Sequence, residues 1–177
     1  MKNKYIIVGP GASGKDWLQK KMIEMGYKPM KQYTTREKRD NETGDEYHFI
    51  TDNEFKKMDD DGKFFSINFY AIGWYGISYK ELMASDVAIL SPANIFDLFR
   101  YYPGLRNKFT IIYLDMPVEL RRRRLASRYT GKVGDNNERR IASDERDFSG
   151  FTTWDICIKD EKSVDDFINN LFPLQGE

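Results

Sequence analysis

The chain has 177 residues, a length that suits one domain with a substantial core. Hydrophobic residues make up 40% and charged residues 32% of it, as in ordinary soluble proteins. The formal net charge is zero, so the overall charge does not indicate a nucleic-acid or membrane partner. One cysteine excludes an intramolecular disulfide, and there is no signal-peptide layout or bilayer-length apolar stretch, so we expect a cytoplasmic monomer or homodimer.

The first predicted element is a strand at residues 5–8, a β-branched run that stops at a glycine-rich turn. A helix is predicted at residues 17–25 and ends at Gly26. The turn between them has the pattern G-x-x-x-x-G-K and consists of Gly9, Pro10, Gly11, Ala12, Ser13, Gly14, Lys15 and Asp16. A strand before this pattern and a helix after it are the context in which it indicates a phosphate-binding loop.

Each part of this loop suits the triphosphate of ATP. Glycines let successive backbone N–H groups curl around phosphate oxygens, and the helix N-terminus adds positive partial charge. Lys15 can bridge the β- and γ-phosphates. Asp16 stands where the pattern has Ser or Thr as a magnesium ligand. A carboxylate is also a hard oxygen ligand, so Asp16 is the predicted Mg²⁺ ligand.

The next segment breaks the alternation of strands and helices. Residues 32–46 are polar and predict a loop with extended pieces. A helix is predicted at residues 51–61, with Thr51 capping it before Glu54, and strands of a small sheet at residues 63–70 and 73–76. These features predict an inserted lobe.

Beyond the lobe the alternation resumes. Residues 129–137 are Gly-rich and polar, which predicts a loop. Strands are predicted at residues 87–90, 109–114 and 154–158, and helices at residues 93–100, 117–127, 138–148 and 163–171. Such alternation predicts an α/β fold of the P-loop NTPase type, with a parallel sheet covered by helices on both faces.

Four ordered motifs resemble those of a known family. They are residues 34–49 (T-T-R-x-x-R … G-x-x-Y-x-F), 74–76 (W-Y-G), 123–128 (R-R-L-A-S-R) and 154–160 (W-D-I-C-I-K-D). In this order and spacing the chain resembles the guanylate kinases over nearly its whole length. The resemblance implies a nucleoside monophosphate kinase built from a core (residues 1–33 and 81–177), a lobe for the nucleoside monophosphate (residues 34–80) and a lid (about residues 128–138).

The resemblance also implies roles for single residues. Lys15, Arg128 and Arg140 would act on the transferring phosphoryl group and lower the cost of its charge. The acceptor's phosphate would be held by Arg36, Arg39, Tyr47 and Tyr75. Guanidinium forks and phenol donors suit this phosphate dianion. At positions that depart from the family, polar partners for the acceptor base could come from Gln32, Ser66, Asn68 and Ser78. Arg121 and Arg122 have no such support, and we expect them to be solvated.

The chain departs from the family where guanine and the metal are bound. Ser66 stands where a carboxylate normally reads guanine, and residues 91–93 (S-P-A) replace the family's D-x-D. Compared with the family, Asp16 would thus put a carboxylate in place of a hydroxyl near the metal, and Ser91 a hydroxyl in place of a carboxylate. The residues that hold phosphate are retained, so we expect phosphoryl transfer with altered base choice.

The leading prediction is therefore a kinase that uses ATP and Mg²⁺, with GMP or dGMP as the default acceptor. One alternative is a kinase for another (deoxy)nucleotide or another phosphorylated acceptor. A second alternative is a non-catalytic, guanylate-kinase-like module that binds proteins. The missing carboxylates favour this module, whereas the intact loop at residues 9–15 opposes it.

Overall fold

The structure is a computed structural model that describes residues 4–40, 42–70, 72–128 and 134–171, without the side chains of residues 128 and 134–136. In chain order its strands and helices are β1 (Lys4–Val8), α1 (Lys15–Glu24), β2 (Gln32–Thr34), β3 (Tyr47–Phe49), α2 (Asp52–Asp60), β4 (Phe64–Tyr70), β5 (Gly73–Ser78), α3 (Tyr79–Ala84), β6 (Val87–Ile89), α4 (Pro92–Tyr101), β7 (Phe109–Leu114), α5 (Val118–Arg128), α6 (Gly134–Phe148), β8 (Ile156–Ile158) and α7 (Glu161–Leu171). A 3₁₀ segment, Pro103–Lys108, precedes β7.

The larger sheet is parallel, with the strand order β6-β1-β7-β8 among the described residues. Side chains of β1 alternate between its two faces because successive residues of a strand point in opposite directions. Ile6 joins a core cluster that includes Leu98 of α4, whereas Ile7 joins a second cluster with Leu18 of α1 and Ile168 of α7. The predicted α/β fold, a parallel sheet flanked by helices, is confirmed.

A smaller mixed sheet lies in the segment predicted to form the inserted lobe. Its order is β3-β2-β5-β4 within the described residues, and β2 pairs parallel with β3 but antiparallel with β5. Helix α2 begins with the predicted capping box, in which Thr51 Oγ1 accepts from the backbone N–H of Glu54, 3.2 Å away. This sheet begins at Gln32, two residues before the predicted start of the lobe.

The predicted loop at residues 129–137 is wrong in its second half, because α6 begins at Gly134 rather than near Glu138. Gly, Asp and Asn predict loops, but they are also common at helix N-termini, where the first N–H groups need no intrahelical partner. Residues 129–133 of the predicted lid lie outside the described residues. Helix α3 was not predicted, and it starts where Ser78 Oγ accepts from the backbone N–H of Glu81.

In the described part of the chain, none of the helices has the length and apolar character needed to cross a bilayer.

Candidate functional site

The glycine-rich loop, residues 9–14, lies between β1 and α1, as predicted. Ala12 has a φ of 60° and Gly14 a φ of 102°, so the chain curls tightly before α1 begins at Lys15. A Cβ atom on Gly9 would lie 2.7 Å from Ser13 Oγ and 2.8 Å from the carbonyl oxygen of Leu114. Only glycine fits at that position, which lets the loop pack against the end of β7.

Lys15 folds back over this loop. Its Nζ donates hydrogen bonds to the carbonyl oxygens of Gly9 (2.7 Å) and Pro10 (2.9 Å). Burial lowers the pKa of Lys15 to about 8, and the nearby Asp16 and Asp144 carboxylates offset part of that effect. The ammonium group is therefore held beside the loop by weak neutral acceptors, and a phosphate oxygen would be a stronger partner.

Two helices place further charged groups over the loop. Asp144 Oδ2, from α6, accepts from the backbone N–H of Gly11 (2.8 Å) and from Arg121 Nη1 of α5 (3.2 Å). A Cβ atom on Gly11 would lie 2.8 Å from Arg140 Nε. The structure thus places the guanidinium of Arg140 beside the glycine-rich loop, and its role on a phosphoryl group stays a prediction.

The expected solvation of Arg121 is wrong, since only 3% of its side chain is exposed. One face of α5 packs on the phosphate loop and α6, where Leu125 joins a cluster with Ala12 and Ile141. Arg121 lies one helical turn before Leu125 and therefore faces the same way. Arg122 does lie in a partly exposed position, paired with Glu119 and Glu138. The side chain of Arg128 lies outside the described residues.

A cleft of about 590 Å³ opens on one side of the loop. It is lined by Ala12, Ser13, Gly14, Trp17, Leu114, Met116, Arg124, Ser127, Glu161, Val164 and Asp165. Arg124 Nη1 donates to the carbonyl oxygen of Ala12 (3.0 Å), and its other terminal nitrogen pairs with Glu161. Trp17, for which no role was predicted, is 46% exposed beside the loop and offers a flat apolar surface. An aromatic residue in the first turn after the loop lysine was the available signal.

Arg36, Tyr47 and Tyr75, which the sequence assigned to acceptor phosphate, lie together. Arg36 Nε donates to the Tyr75 hydroxyl (3.0 Å), and its guanidinium lies 5.0 Å from the centre of the Tyr47 ring. Both terminal nitrogens of Arg36 donate to the carboxylate of Glu42. Those hydrogen bonds lower the pKa of Glu42 to about 2 and raise that of Arg36.

Glu42 was not predicted, because a phosphate site is recognised in a sequence by its cations and not by the carboxylate that pairs with one of them. Arg39 approaches the same carboxylate only through its backbone N–H, which donates to Glu42 Oε2 (2.9 Å), and it is exposed. Arg36 therefore has its charge balanced within the protein, whereas the described contacts leave the side chain of Arg39 in solvent.

Three other predicted acceptor residues use their polar groups inside the protein. Ser66 Oγ donates to Asp97 Oδ2 (2.7 Å) and accepts from Asn94 Nδ2 (2.9 Å). Ser78 caps α3, and Gln32 Nε2 lies 3.4 Å from the carbonyl oxygen of Ile89. Of these three residues, only Gln32 lines the cleft described next.

A second cleft, of about 550 Å³, joins the loop to the small sheet. Its lining is Gly9, Gly11, Lys15, Gln32, Tyr47, Asn68, Tyr70, Tyr75, Ile89, Leu90, Ser91, Asn94, Arg140, Ser143, Asp144, Asp147 and Phe148. Asn94 and Asp147 are polar groups in this lining for which the sequence predicted no role. Lys15 and Arg140 thus share one cleft with Tyr47 and Tyr75.

Asp16 is exposed in the first turn of α1. No group of three or more His, Cys, Asp or Glu residues among the described residues is arranged to hold a metal ion. A magnesium ion carried by a nucleotide needs only one or two protein carboxylates, because phosphates and water complete its shell. Asp16 fits that requirement, whereas the hydroxyl of Ser91 is bonded to Asn94 at the start of α4.

The chain is similar to guanylate kinases in sequence and in fold. The family model for guanylate kinase matches residues 1–86. The structure is similar to that of guanylate kinase from Anaplasma phagocytophilum, with a TM-score of 0.67 and 20% identity, covering 99% of this chain and 88% of that one. It is also similar to an uncharacterized protein from Eubacterium ventriosum ATCC 27560, with a TM-score of 0.52 and 14% identity, covering 97% and 98%.

No curated protein matches the chain in sequence. At these identities the two solved structures show a shared fold and no more. The sequence likeness to the guanylate kinase family therefore covers residues 1–86, and over nearly the whole chain the two solved structures show the shared fold.

Proposed function

We propose that the protein is an ATP-dependent nucleoside monophosphate kinase, with GMP or dGMP as the first candidate acceptor. The family match and the fold support a nucleotide kinase. The observation that carries the proposal is the cleft of about 550 Å³, into which Lys15 of the phosphate loop and Tyr47 and Tyr75 of the small sheet all open. Such a cleft can hold a donor phosphate and an acceptor phosphate next to each other.

The donor nucleotide would lie across the loop. Its base would occupy the cleft of about 590 Å³ beside Trp17 and Arg124, and its phosphates would follow the loop towards the second cleft. Backbone N–H groups and the N-terminus of α1 would bind the phosphates there.

Phosphoryl transfer depends mainly on positioning and on stabilising negative charge. Lys15 and Arg140 both line the cleft of about 550 Å³ and are the cations proposed to stabilise the transferring phosphoryl group. Mg²⁺ bound with ATP would neutralise charge on the β- and γ-phosphates, and Asp16 is the residue proposed to hold it. Asp16→Ala should therefore raise the Mg²⁺ concentration needed for half-maximal activity, and an unchanged Mg²⁺ titration would contradict this role.

The acceptor base would meet the amide of Asn68, which lines the cleft. The amide of Asn94 is bonded to Ser66 and Ser91, and the hydroxyl of Ser66 is bonded to Asp97. An amide can pair with several bases, because it offers one donor group and one acceptor. This observation favours a second candidate within the same class, a kinase that accepts other (deoxy)nucleotides as well as GMP or dGMP.

The test is a coupled assay of ADP release with ATP, Mg²⁺ and a panel of ribo- and deoxynucleoside monophosphates. Lys15→Ala should lower kcat by about 10²–10³-fold, the usual loss when one preorganised charge-stabilising donor is removed. Lys20→Ala, an exposed position on α1, is the matched control and should leave kcat unchanged. If Lys15→Ala turned over normally, the kinase proposal would be wrong. Absence of ATP binding by the unaltered protein would favour the protein-binding module instead.

A further inference from the structure

Two donors from distant parts of the chain converge on one oxygen atom beside the phosphate loop. The backbone N–H of Gly11 lies 2.8 Å from Asp144 Oδ2, and Arg121 Nη1 lies 3.2 Å from the same atom. A backbone N–H and a guanidinium that point to one position form a binding site for an anionic oxygen. In the free protein a carboxylate of the chain itself occupies this position.

Two carboxylates, Asp16 and Asp144, and two guanidinium groups, Arg140 and Arg121, lie close enough to Lys15 for their charges to act on its pKa. With Lys15 itself, three cations face two carboxylates. Arg121 is 3% exposed, and its Nε has no hydrogen-bond partner among the described residues. Buried guanidinium groups need anionic partners, and this one is incompletely satisfied.

The position of Gly11 indicates which phosphate the site would take. Ala12 and Gly14 line the cleft proposed for the donor base, whereas Gly11 lines the cleft shared with Tyr75. A phosphate oxygen bound to the N–H of Gly11 would therefore belong to the end of the triphosphate that faces the acceptor, which is the terminal phosphate.

We propose that Arg121 is a binding residue for the terminal phosphate of ATP, and that Asp144 holds its place in the free protein. This proposal rests on the proposed use of ATP. A phosphate oxygen takes the position of Asp144 Oδ2 when the nucleotide binds, because the phosphate carries more charge and also reaches Lys15 and Arg140. Asp144 and Arg140 lie on the same helix, so displacement of the carboxylate couples ATP binding to α6.

A purely structural role for the pair predicts the opposite response to mutation. If Asp144 only fastened α6 to the loop, neutralising it would weaken nucleotide binding or leave it unchanged. If Asp144 competes with the phosphate, neutralising it strengthens ATP binding. ADP lacks the terminal phosphate, so its affinity should change much less in the second case.

The first experiment measures the Kd of ATP and of ADP by isothermal titration calorimetry with Mg²⁺. Asp144→Asn should tighten ATP binding about tenfold, the effect of removing one like charge at close range. It should tighten ADP binding by less than about threefold. Glu145→Gln removes the same charge from an exposed neighbouring position and should leave both constants unchanged. Weaker or unchanged ATP binding by Asp144→Asn would overturn the proposal.

The second experiment removes the guanidinium. Arg121→Gln should weaken ATP binding about tenfold more than ADP binding, whereas Arg123→Gln, at an exposed position of α5, should alter neither. Since Arg121 is buried, the double variant Arg121→Leu with Asp144→Ala removes both charges and avoids leaving one unpaired.

The double variant is compared with Asp144→Ala alone, because the two single changes have opposite effects on ATP binding. It should bind ATP about tenfold more weakly than Asp144→Ala does, with a much smaller change for ADP. Equal Kd values for ATP in the two variants would contradict the role of Arg121 but not the proposed binding of ATP. If the unaltered protein bound neither nucleotide, the proposed function itself would fail along with this inference.

Discussion

At the scale of single residues, the cations proposed to bind phosphate have hydrogen-bond partners within the protein itself. Lys15 is bonded to carbonyl oxygens of its own loop, and Arg36 is paired with Glu42. The carbonyl partners of Lys15 are weaker than a phosphate would be, and the Glu42 partner of Arg36 is one that a phosphate could replace. Two predictions concern these partners.

The first prediction concerns the proton on Lys15. Its pKa of about 8 in the folded protein is below the usual 10.5, so between these pH values the folded protein binds fewer protons than the unfolded one. The contribution of Lys15 to the free energy of unfolding therefore increases as the pH rises through this range. Phosphate anions would restore the charged form, so ATP binding near pH 8 should take up about half a proton at this group. Calorimetry in two buffers of different ionisation enthalpy measures this uptake, and Lys15→Met should abolish it. Equal uptake by the variant would rule out Lys15 as the source.

The second prediction concerns Glu42→Gln. Removing the charge should lower the free energy of unfolding by about 2 kcal/mol, since charge-assisted hydrogen bonds from the buried Arg36 are weakened. The acceptor phosphate should then compensate for the lost anion. Urea denaturation with and without the acceptor nucleotide should show a larger stabilisation by the acceptor in the variant than in the unaltered protein. The same variant without any loss of stability would show that the pair is not stabilising.

At the scale of elements, the acceptor side depends on a close contact between β5 and the chain after β2. The backbone N–H of Thr35 donates to the carbonyl oxygen of Trp74 (3.1 Å), and the N–H of Trp74 donates to Thr35 Oγ1 (3.1 Å). Gly73 begins β5, and a Cβ atom there would lie 2.7 Å from the backbone nitrogen of Arg36. The guanidinium of Arg36 is thus positioned by a strand contact that requires glycine.

Gly73→Ala tests this contact. The added methyl group meets backbone, which cannot rotate away, so the free energy of unfolding should fall by about 1–3 kcal/mol and the KM for the acceptor should rise more than the KM for ATP. Gly104→Ala is the control, because an added Cβ atom there meets nothing within 4 Å. Chemical denaturation and steady-state kinetics measure both effects. Equal behaviour of the two variants would mean that β5 can shift without disturbing Arg36.

At the scale of the whole molecule, the phosphate loop is the meeting point of two clefts. The first cleft is bordered by α1, α5 and α7, and the second extends from the loop to the small sheet. The loop itself is fixed by β1, a central strand of the parallel sheet. A ligand bound in either cleft would therefore contact a loop that is joined directly to the core of the fold.

ATP should accordingly stabilise the entire protein. At 100 times its Kd, ATP with Mg²⁺ should raise the free energy of unfolding by about 2.7 kcal/mol, which corresponds to about 5–10 °C in Tm for a chain of this size. Differential scanning calorimetry measures the shift, and AMP, which lacks the two outer phosphates, provides the comparison. Equal shifts for AMP and ATP would contradict binding through the phosphate loop.

Local features of the sequence determined much of this protein. A β-branched run followed by a glycine-rich turn predicts β1 and the phosphate loop, because strand propensity and glycine backbone freedom act over a few residues. The alternation of strands and helices predicts the parallel sheet in the same way. Motif order also brought together Arg36, Tyr47 and Tyr75, which the structure places side by side.

Only the tertiary structure decided which charges face each other. Asp144 reaches Gly11 across 133 positions of sequence and Arg121 across 23, and no local pattern encodes such contacts. The hydroxyl of Ser66 is likewise bonded to Asp97, 31 positions away. Burial and pairing of polar groups follow from how helices pack on the sheet, and that packing buries Arg121 against Asp144 while it leaves Arg122 partly exposed.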